Sequence, residues 1–160
     1  MVDKKKINLN EKIFIAGGSG MVGYATNLIL KKNGYGSNTY GGEILTPNRK
    51  ELNLLDSNQV NSWFTLNKPS VVIMAAAKVG GIVANQSSPY EFLLENLTLQ
   101  NNVINASFKN GVKRFLFLGS SCIYPKFATN PIKEESLLSG ALEKTNESYA
   151  LAKIAGIKLC

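Results

Sequence analysis

KIFIAGGSGMVG, residues 12–23, runs from a short apolar strand-like segment directly into a cluster of glycines. Glycine permits a tight turn, lets the backbone approach a pyrophosphate group closely, and allows the next helix to pack against the strand. The N-terminus of that helix would offer free N–H groups to negative charge. The stretch predicts the strand–turn–helix unit of dinucleotide-binding proteins, with a tight turn without a ligand as the alternative. The cofactor-binding candidates in it are Gly17, Gly18, Ser19, Gly20, Met21, Val22 and Gly23.

Strand-like and helix-like segments alternate along the rest of the chain, which indicates a parallel sheet flanked by helices. The predicted strands are 12–16, 43–46, 52–54, 71–74 and 114–118. The predicted helices are about 21–32, a helix capped by Asp56 or Ser57 that runs to about Leu66, Pro89 to Lys109, and a last helix from about Ser148. The pattern predicts an α/β fold, a Rossmann-like doubly wound parallel sheet with helices on both faces.

The bulk composition is that of one ordinary globular domain. The chain has 160 residues, of which 44% are hydrophobic and 18% are charged, enough to bury one sizeable core. We expect residues 11–160 to form this domain and residues 1–10, which are polar and rich in lysine, to be frayed or disordered. No apolar run approaches the roughly 20 residues that span a bilayer, and no signal-peptide core precedes the first strand. These features predict a cytoplasmic protein without a membrane partner.

The cysteines and the charge argue against two further classes of protein. Cys122 and Cys160 are too few for a disulfide framework and lack metal-ligand spacing, so we expect free thiols and no metal site. The formal net charge is +7, but the basic residues are scattered and Lys4–Lys6 form the only run. Nucleic-acid binding is therefore not predicted. Part of the positive charge instead suits an anionic dinucleotide and a nucleotide-sugar.

The residues after the second predicted strand bear on the choice between NAD and NADP. An acidic side chain at the end of this strand would bind the ribose hydroxyls of NAD, whereas a cation would favour the 2′-phosphate of NADP. The stretch here is Pro47-Asn48-Arg49-Lys50, and Glu43 lies at the opposite end of the strand. Arg49 is therefore the candidate for the 2′-phosphate, helped by Ser19 or Lys50. An ordinary solvated arginine is the alternative.

Tyr149 and Lys153 are spaced four residues apart, so a helix would place them on one face. A nearby ammonium group stabilises a phenolate, and we expect it to lower the pKa of Tyr149 toward neutrality. The lysine could also hold the ribose of a nicotinamide. The pair predicts an acid–base site, although the same spacing is common on ordinary helix surfaces.

Ser120 and Cys122 follow the last predicted strand, at the carboxyl edge where parallel sheets place their ligands. The Ser120 hydroxyl could orient a substrate carbonyl beside Tyr149. If the backbone stays extended, Cys122 points to the same side as Ser120, since side chains alternate along a strand. Its thiolate could then act as a base near a cationic cofactor. The residues alone favour the simpler interpretation of Cys122, a small buried apolar side chain.

These motifs occur in the order and at the spacing of the extended short-chain dehydrogenase/reductases, and the chain resembles that family. The matching motifs are the glycine turn (residues 17–23), Ala75-Ala76-Ala77, Ser120, Tyr149 and Lys153. Longer stretches resemble the GDP-L-fucose synthases within it. They are RKELNLLD (49–56), AAAKVGGIVAN (75–85), FLGSSCIYPK (117–126) and SYALAKIAGIKLC (148–160). The resemblance covers essentially the whole predicted domain.

The resemblance implies an NADP(H)-dependent enzyme that epimerises GDP-4-keto-6-deoxy-D-mannose at C3 and C5 and then reduces the C4 ketone. Tyr149 would stabilise the enolate and protonate the C4 oxygen, while Lys153 tunes it and Ser120 assists. Cys122 matches the family's epimerisation base, which reverses the simpler interpretation above. A carbonyl oxygen that bears the charge lets one site serve both steps. The resemblance adds cofactor contacts at Ala75, Ala76, Leu118, Gly119, Ser120, Ser121, Tyr149 and Lys153.

The chain departs from the family pattern at three points. Residues 33–42 form a longer loop, and Gly18-Ser19 replaces a His-Arg pair, which makes Arg49 more important. The family pairs its cysteine base with a histidine acid, and this sequence contains no histidine. We therefore expect a fragment that stops before the substrate domain, is crippled in epimerisation, and derives from a homodimeric parent chain.

Two alternative functions stay open. One is another extended short-chain dehydrogenase acting on a nucleotide-sugar, such as a 4-epimerase or a 4,6-dehydratase. Cys122 speaks against it, because dehydratases would be expected to carry an Asp-Glu pair there and 4-epimerases need no thiol. The other, for the fragment alone, is a non-catalytic NADP(H)-binding module, which would bind NADPH tightly without turnover.

Overall fold

A computed structural model describes residues 7–160 as one parallel sheet flanked by helices. The strands are β1 (Lys12–Ala16), β2 (Glu43–Leu45), β3 (Val71–Met74) and β4 (Arg114–Phe117). The helices are α1 (Met21–Lys32), α2 (Ser57–Asn67), α3 (Ile82–Ser87), α4 (Pro89–Lys109) and α5 (Glu147–Leu159). Short 3₁₀ turns cover Asn38–Tyr40, Ser121–Ile123, Glu134–Ser136 and Lys144–Asn146. The architecture is the Rossmann-like α/β fold that the sequence predicts.

Every strand pair of the sheet is parallel, in the order β2-β1-β3-β4. β1 is central, since Phe14 pairs with Leu45 of β2 on one side and with Val72 of β3 on the other. The carboxyl ends of parallel strands lie at the same edge of a sheet, which is where open α/β folds bind ligands. The glycine turn after β1 and the segments after β3 and β4 therefore all reach this edge.

Alternate residues of the central strands build two cores, one on each face of the sheet. On one face Phe14 is 1% exposed and packs against Trp63 and Phe64 of α2, with ring centroids 4.5 and 5.6 Å apart. On the other face Ile13 is fully buried and packs in a cluster that Leu30 of α1 joins. Burying a side chain of this size contributes about 1.5–3 kcal/mol. Packing on both faces holds β1, and with it the start of the glycine turn.

The predicted third strand at 52–54 is wrong, because this segment is irregular and pairs with none of the strands among the described residues. Leu52 is 3% exposed and belongs to the core, which explains its apolar character. The Leu54 carbonyl accepts a hydrogen bond from the Asn102 side chain of α4 at 2.9 Å. A helix side chain thus satisfies the backbone group that a neighbouring strand would otherwise bind.

Two further elements differ from the sequence-based expectation. α3 is too short, at six residues, for a helical period to show in the sequence. Ile7, within the segment 1–10 that the sequence predicts to be frayed or disordered, packs against the sheet, and its carbonyl accepts a hydrogen bond from the Tyr35 hydroxyl at 2.8 Å; residues 1–6 lie outside the described residues. No helix within residues 7–160 has the length and apolar content needed to cross a membrane.

Candidate active site

The glycine turn packs so tightly that an added side chain would overlap neighbouring atoms at Gly17, Gly18 and Gly23. Gly17 has a φ of +83°, and a Cβ there would lie 2.7 Å from the Ala76 nitrogen. A Cβ on Gly23 would overlap the Gly17 carbonyl oxygen. Gly20 is less confined: its N–H donates to that carbonyl at 3.0 Å, and an added Cβ would meet only this oxygen, at 3.4 Å. At Gly17 and Gly23 the turn therefore presents backbone rather than side chains.

A cavity of about 540 Å³ opens at the carboxyl edge beside this turn. Four predicted cofactor-binding residues line it, namely Gly17, Ser19, Arg49 and Ala76. Its volume lies within the range of small-molecule sites. Backbone N–H groups of a glycine-rich turn, a helix N-terminus and a guanidinium group are donors suited to a phosphate-bearing dinucleotide. The structure thus brings the glycine turn and Arg49 to one cavity, whereas Lys50 does not line it.

Three residues that the sequence analysis did not single out fix the far wall of the cavity. Asn96 is 1% exposed, and its side chain accepts a hydrogen bond from the Lys78 N–H at 2.8 Å and donates to the Lys78 carbonyl at 3.0 Å. The Lys78 ammonium pairs with Glu95 at 2.5 Å, and both line the cavity. The position of Lys78 just past a buried strand could have marked it as a site residue. Its partners could not be found in this way, because they lie on α4, with Asn96 eighteen residues away in sequence.

Ser120 and Cys122 lie close together, although the backbone between them does not stay extended. Residues 121–123 form a 3₁₀ turn in which the Ser120 hydroxyl oxygen accepts a hydrogen bond from the Cys122 N–H at 3.4 Å. The Cys122 sulfur is 3.1 Å from the same oxygen. The turn brings the two side chains together by a local hydrogen bond instead of by strand alternation. Cys122 and Cys160 are both free cysteines.

α5 carries Tyr149 and Lys153 and is held against the end of β4. Lys153 is 3% exposed, and its ammonium donates to the Leu118 carbonyl at 2.9 Å. The nitrogen lies 4.7 Å from the ring centroid of Phe117 and 5.8 Å from that of Tyr149. A Cβ on Gly156 would overlap the Phe117 ring, so the helix can approach the strand only with glycine there. The predicted pair therefore lies at the same edge as Leu118 and the segment that follows it.

The expected lowering of the Tyr149 pKa is wrong. Burial raises the pKa of Tyr149, and the negative charge of a Cys122 thiolate raises it further. Burial lowers the pKa of Lys153, with partial compensation from the same thiolate. The lysine ammonium donates to the Leu118 carbonyl, and burial outweighs any stabilisation of the phenolate by its charge. Tyr149 is therefore poised as a proton donor, and the charge of Cys122 reaches both helix residues.

The other predicted contacts lie at the same edge outside the cavity. They are Gly18, Gly20, Met21, Val22, Gly23, Ala75, Leu118, Gly119, Ser120, Ser121, Tyr149 and Lys153. Met21 and Val22 are exposed at the first turn of α1, 87% and 47% respectively. Ala75 continues the sheet, since its N–H donates to the Ala16 carbonyl at 2.9 Å. The candidate residues thus form two groups, one around the cavity and one around the Ser120 hydroxyl and α5.

Comparison with known proteins supports the resemblance seen in the sequence. Residues 13–160 match the model of the NAD dependent epimerase/dehydratase family. The chain is 50% identical to the GDP-L-fucose synthase of Sinorhizobium fredii over 150 residues, which cover 94% of this chain and 46% of that protein. It is also 50% identical to the GDP-L-fucose synthase of Escherichia coli K12 over 150 residues, covering 94% and 45% of the two chains. The chain spans about half the length of these relatives.

A solved structure shows the same fold with a dinucleotide. It is MlghC, the GDP-mannoheptose C4 reductase from Campylobacter jejuni with NADP bound. The two structures superpose with a TM-score of 0.89 at 39% sequence identity, over 97% of this chain and 47% of the other. The sheet, the glycine turn and α5 therefore follow a known structural pattern.

Proposed function

Because the chain belongs to the NAD dependent epimerase/dehydratase family, we propose that the protein uses NADPH to convert GDP-4-keto-6-deoxy-D-mannose into GDP-L-fucose. The observation that carries the proposal is the cluster of Ser120, Cys122, Tyr149 and Lys153, in which the Cys122 sulfur lies 3.1 Å from the Ser120 hydroxyl. The 50% identity to GDP-L-fucose synthases supports this choice of reaction. The chain spans about half the length of those relatives. The activity and the substrate are therefore proposed for the complete natural chain.

The residues present fit NADP(H) at the cavity. Gly17 and Gly23 keep side chains away from the N-terminus of α1, where the pyrophosphate would bind. Arg49 lines the cavity and supplies a cation for the 2′-phosphate. Glu43, which could mark an NAD site, instead pairs with Lys12 at 3.3 Å, at the start of β2. The NADP bound by MlghC supports this cofactor. When bound, NADPH supplies the hydride for C4.

The reduction step requires a proton donor for the C4 oxygen. Burial keeps the pKa of Tyr149 raised, so its hydroxyl is protonated at neutral pH and can give its proton to that oxygen. The Lys153 ammonium is held by the Leu118 carbonyl at 2.9 Å and lies 5.8 Å from the Tyr149 ring centroid, where its charge favours the phenolate left behind. The Ser120 hydroxyl donates a second hydrogen bond to the same oxygen. Donors fixed in advance stabilise the charge that develops there.

Epimerisation at C3 and C5 requires a base on carbons that flank the same ketone. A Cys122 thiolate removes the proton, the electron pair moves into the carbonyl, and Ser120 and Tyr149 stabilise the resulting enolate oxygen. Return of a proton to the opposite face of the carbon inverts it. The acid that returns this proton is not a histidine of these 160 residues, because the sequence contains none.

A C4 reductase that does not epimerise is the second candidate, favoured by the 39% identity to MlghC. Cys122 speaks against it, because reduction alone requires no thiol base. A 4-epimerase, a 4,6-dehydratase and a non-catalytic NADP(H)-binding module remain the alternatives from the sequence. The homodimer and the cytoplasmic location also stay predictions.

The proposal is tested with the complete natural chain by following NADPH oxidation on GDP-4-keto-6-deoxy-D-mannose, with NADH alongside. One NADPH consumed per sugar and GDP-L-fucose as product would support it. A C4-reduced product with unchanged C3 and C5 would favour the simple reductase. Tight NADPH binding without turnover would indicate another substrate or a non-catalytic module.

A further inference from the structure

Residues 48–51 form a reciprocally hydrogen-bonded turn, called the 48–51 turn below. The Asn48 side-chain oxygen accepts hydrogen bonds from the N–H groups of Lys50 at 2.9 Å and Glu51 at 3.3 Å. The Glu51 carboxylate accepts one from the Asn48 N–H at 2.7 Å. Each end residue thus satisfies the backbone of the other, as in the capping box of a helix. The backbone of Arg49 is therefore fixed from both sides.

The 48–51 turn is anchored to the body of the protein. The Asn48 carbonyl accepts a hydrogen bond from the Leu52 N–H at 2.9 Å, and Leu52 is 3% exposed in the core. Pro47 precedes the turn and restricts the backbone on the other side. Pro47 and Arg49 both line the cavity. The Arg49 side chain therefore starts from a fixed point on the cavity rim.

The charge of Glu51 is unfavourable for the ligand proposed at Arg49. A carboxylate near a phosphate repels it, and both Arg49 and Glu51 are exposed residues of the same turn. If Glu51 acted only through its charge, its removal would strengthen phosphate binding. If it acts through the hydrogen bond to Asn48, its removal would weaken phosphate binding. The two roles therefore predict effects of opposite sign.

We infer that Asn48 and Glu51 are positioning residues that set the preference for NADP(H) over NAD(H) by holding Arg49 at the cavity. The inference rests on the proposed function, because it requires Arg49 to bind the 2′-phosphate. Because the turn fixes the backbone of Arg49 in advance, that backbone loses less conformational entropy when the arginine binds a phosphate. NAD(H) lacks the 2′-phosphate, so the turn affects the affinity for one dinucleotide and not the other.

The test compares the dissociation constants of NADP⁺ and NAD⁺, measured by calorimetry on the complete natural chain. Glu51→Ala and Asn48→Ala should each weaken NADP⁺ binding about three- to tenfold, the effect of one or two lost hydrogen bonds. NAD⁺ binding should stay unchanged. Glu51→Gln should retain NADP⁺ affinity, because its amide oxygen can still accept the Asn48 N–H. Glu134→Ala, which removes an exposed carboxylate away from the cavity, is the control.

Unchanged or tighter NADP⁺ binding by Glu51→Ala would overturn the inference, and so would an equal loss for both dinucleotides. In an Arg49→Ala background, Glu51→Ala should add no further loss, whereas an additive loss would show that it does not act through Arg49. Arg49→Ala also distinguishes a failure of the proposed 2′-phosphate contact from a failure of the role given to the 48–51 turn. An unchanged NADP⁺ preference would refute the 2′-phosphate contact itself. A collapsed preference, with Glu51→Ala behaving as wild type, would refute only the role of the turn.

Discussion

The sulfur of Cys122 lies 3.1 Å from the hydroxyl oxygen of Ser120, because a 3₁₀ turn over residues 121–123 brings the two side chains together. The charge of Cys122 also extends to α5: burial raises the pKa of Tyr149 and the Cys122 charge raises it further, whereas burial lowers the pKa of Lys153 and the Cys122 charge only partly opposes this. The proposed base and the proposed acid thus belong to one electrostatic unit. A variant without the Cys122 thiol should therefore lose epimerisation but keep reduction, because Tyr149, the proposed acid, is still present.

Cys122→Ser should slow epimerisation by about a hundredfold or more, because a serine hydroxyl is a far weaker acid than a thiol and a general base contributes about 10²–10⁴-fold. Reduction should continue, so the product should keep its original configuration at C3 and C5. Product analysis by NMR checks this outcome. Cys160→Ser, which changes the other free cysteine of the described residues, is the control and should leave the product unchanged. Normal GDP-L-fucose formation by Cys122→Ser would rule out the thiol as the base.

The glycine turn offers two substitutions with different expected effects. Gly23→Ala should lower the free energy of unfolding by about 1–3 kcal/mol, because its Cβ would overlap the Gly17 carbonyl. Gly20→Ala should change stability by less than about 0.5 kcal/mol, since its Cβ contact of 3.4 Å is ordinary. Gly20→Ala should instead weaken dinucleotide binding by about tenfold, because its methyl group would lie where the backbone and the pyrophosphate approach each other. Thermal unfolding without cofactor and calorimetric binding distinguish the two; equal behaviour of both variants would contradict the geometry.

The buried Lys153 should make stability depend on pH. Burial lowers its folded-state pKa below the ordinary value of 10.5. Between the lowered pKa and about 10.5 the unfolded chain binds more protons than the folded one, so the free energy of unfolding rises with pH across this window. Lys153→Met should remove that rise. Denaturant unfolding at several pH values measures it, with the exposed Lys158→Met as control; identical slopes for wild type and Lys153→Met would show that the lysine is not desolvated.

The contact between Gly156 and Phe117 should control the position of α5. Gly156→Ala should cost about 1–3 kcal/mol of stability and lower turnover, because its Cβ would overlap the Phe117 ring and move Tyr149 and Lys153. Adding Phe117→Leu should restore part of the lost stability by making room for the methyl group. Unfolding measurements on the two single variants and the double variant test the coupling. Strictly additive losses would mean that the two residues do not compete for the same space.

The sequence predicted the elements whose local signals agree with their packing. β1, α1 and α4 have the expected bounds, because an apolar run before glycines and a long periodic helix leave little ambiguity. The segment 52–54 was wrongly predicted as a strand, because a buried leucine such as Leu52 gives the same sequence signal in a strand and in an irregular segment. Nothing local to that segment indicates that Asn102 of α4 binds its backbone.

The sequence indicated which residues to consider for the candidate site, but not their electrostatics. Motif spacing singled out Ser120, Tyr149 and Lys153, the family resemblance added Cys122, and in the structure all four lie at one edge of the sheet; their roles stay predictions. The direction of the Tyr149 pKa depends on burial, which a spacing of four residues does not reveal. The Asn96 contact with Lys78 joins two segments eighteen residues apart, so only the folded chain shows it.

The central claim is that one site epimerises a GDP-4-keto sugar and then reduces it. The most direct test is turnover of GDP-4-keto-6-deoxy-D-mannose by the complete natural chain in D₂O with unlabelled NADPH, with the product analysed by NMR. The account predicts deuterium at C3 and C5, from proton removal and return, and protium at C4, from the hydride. A reduced product with protium at all three carbons would contradict it, because C4 would have been reduced without any prior proton exchange at its neighbours.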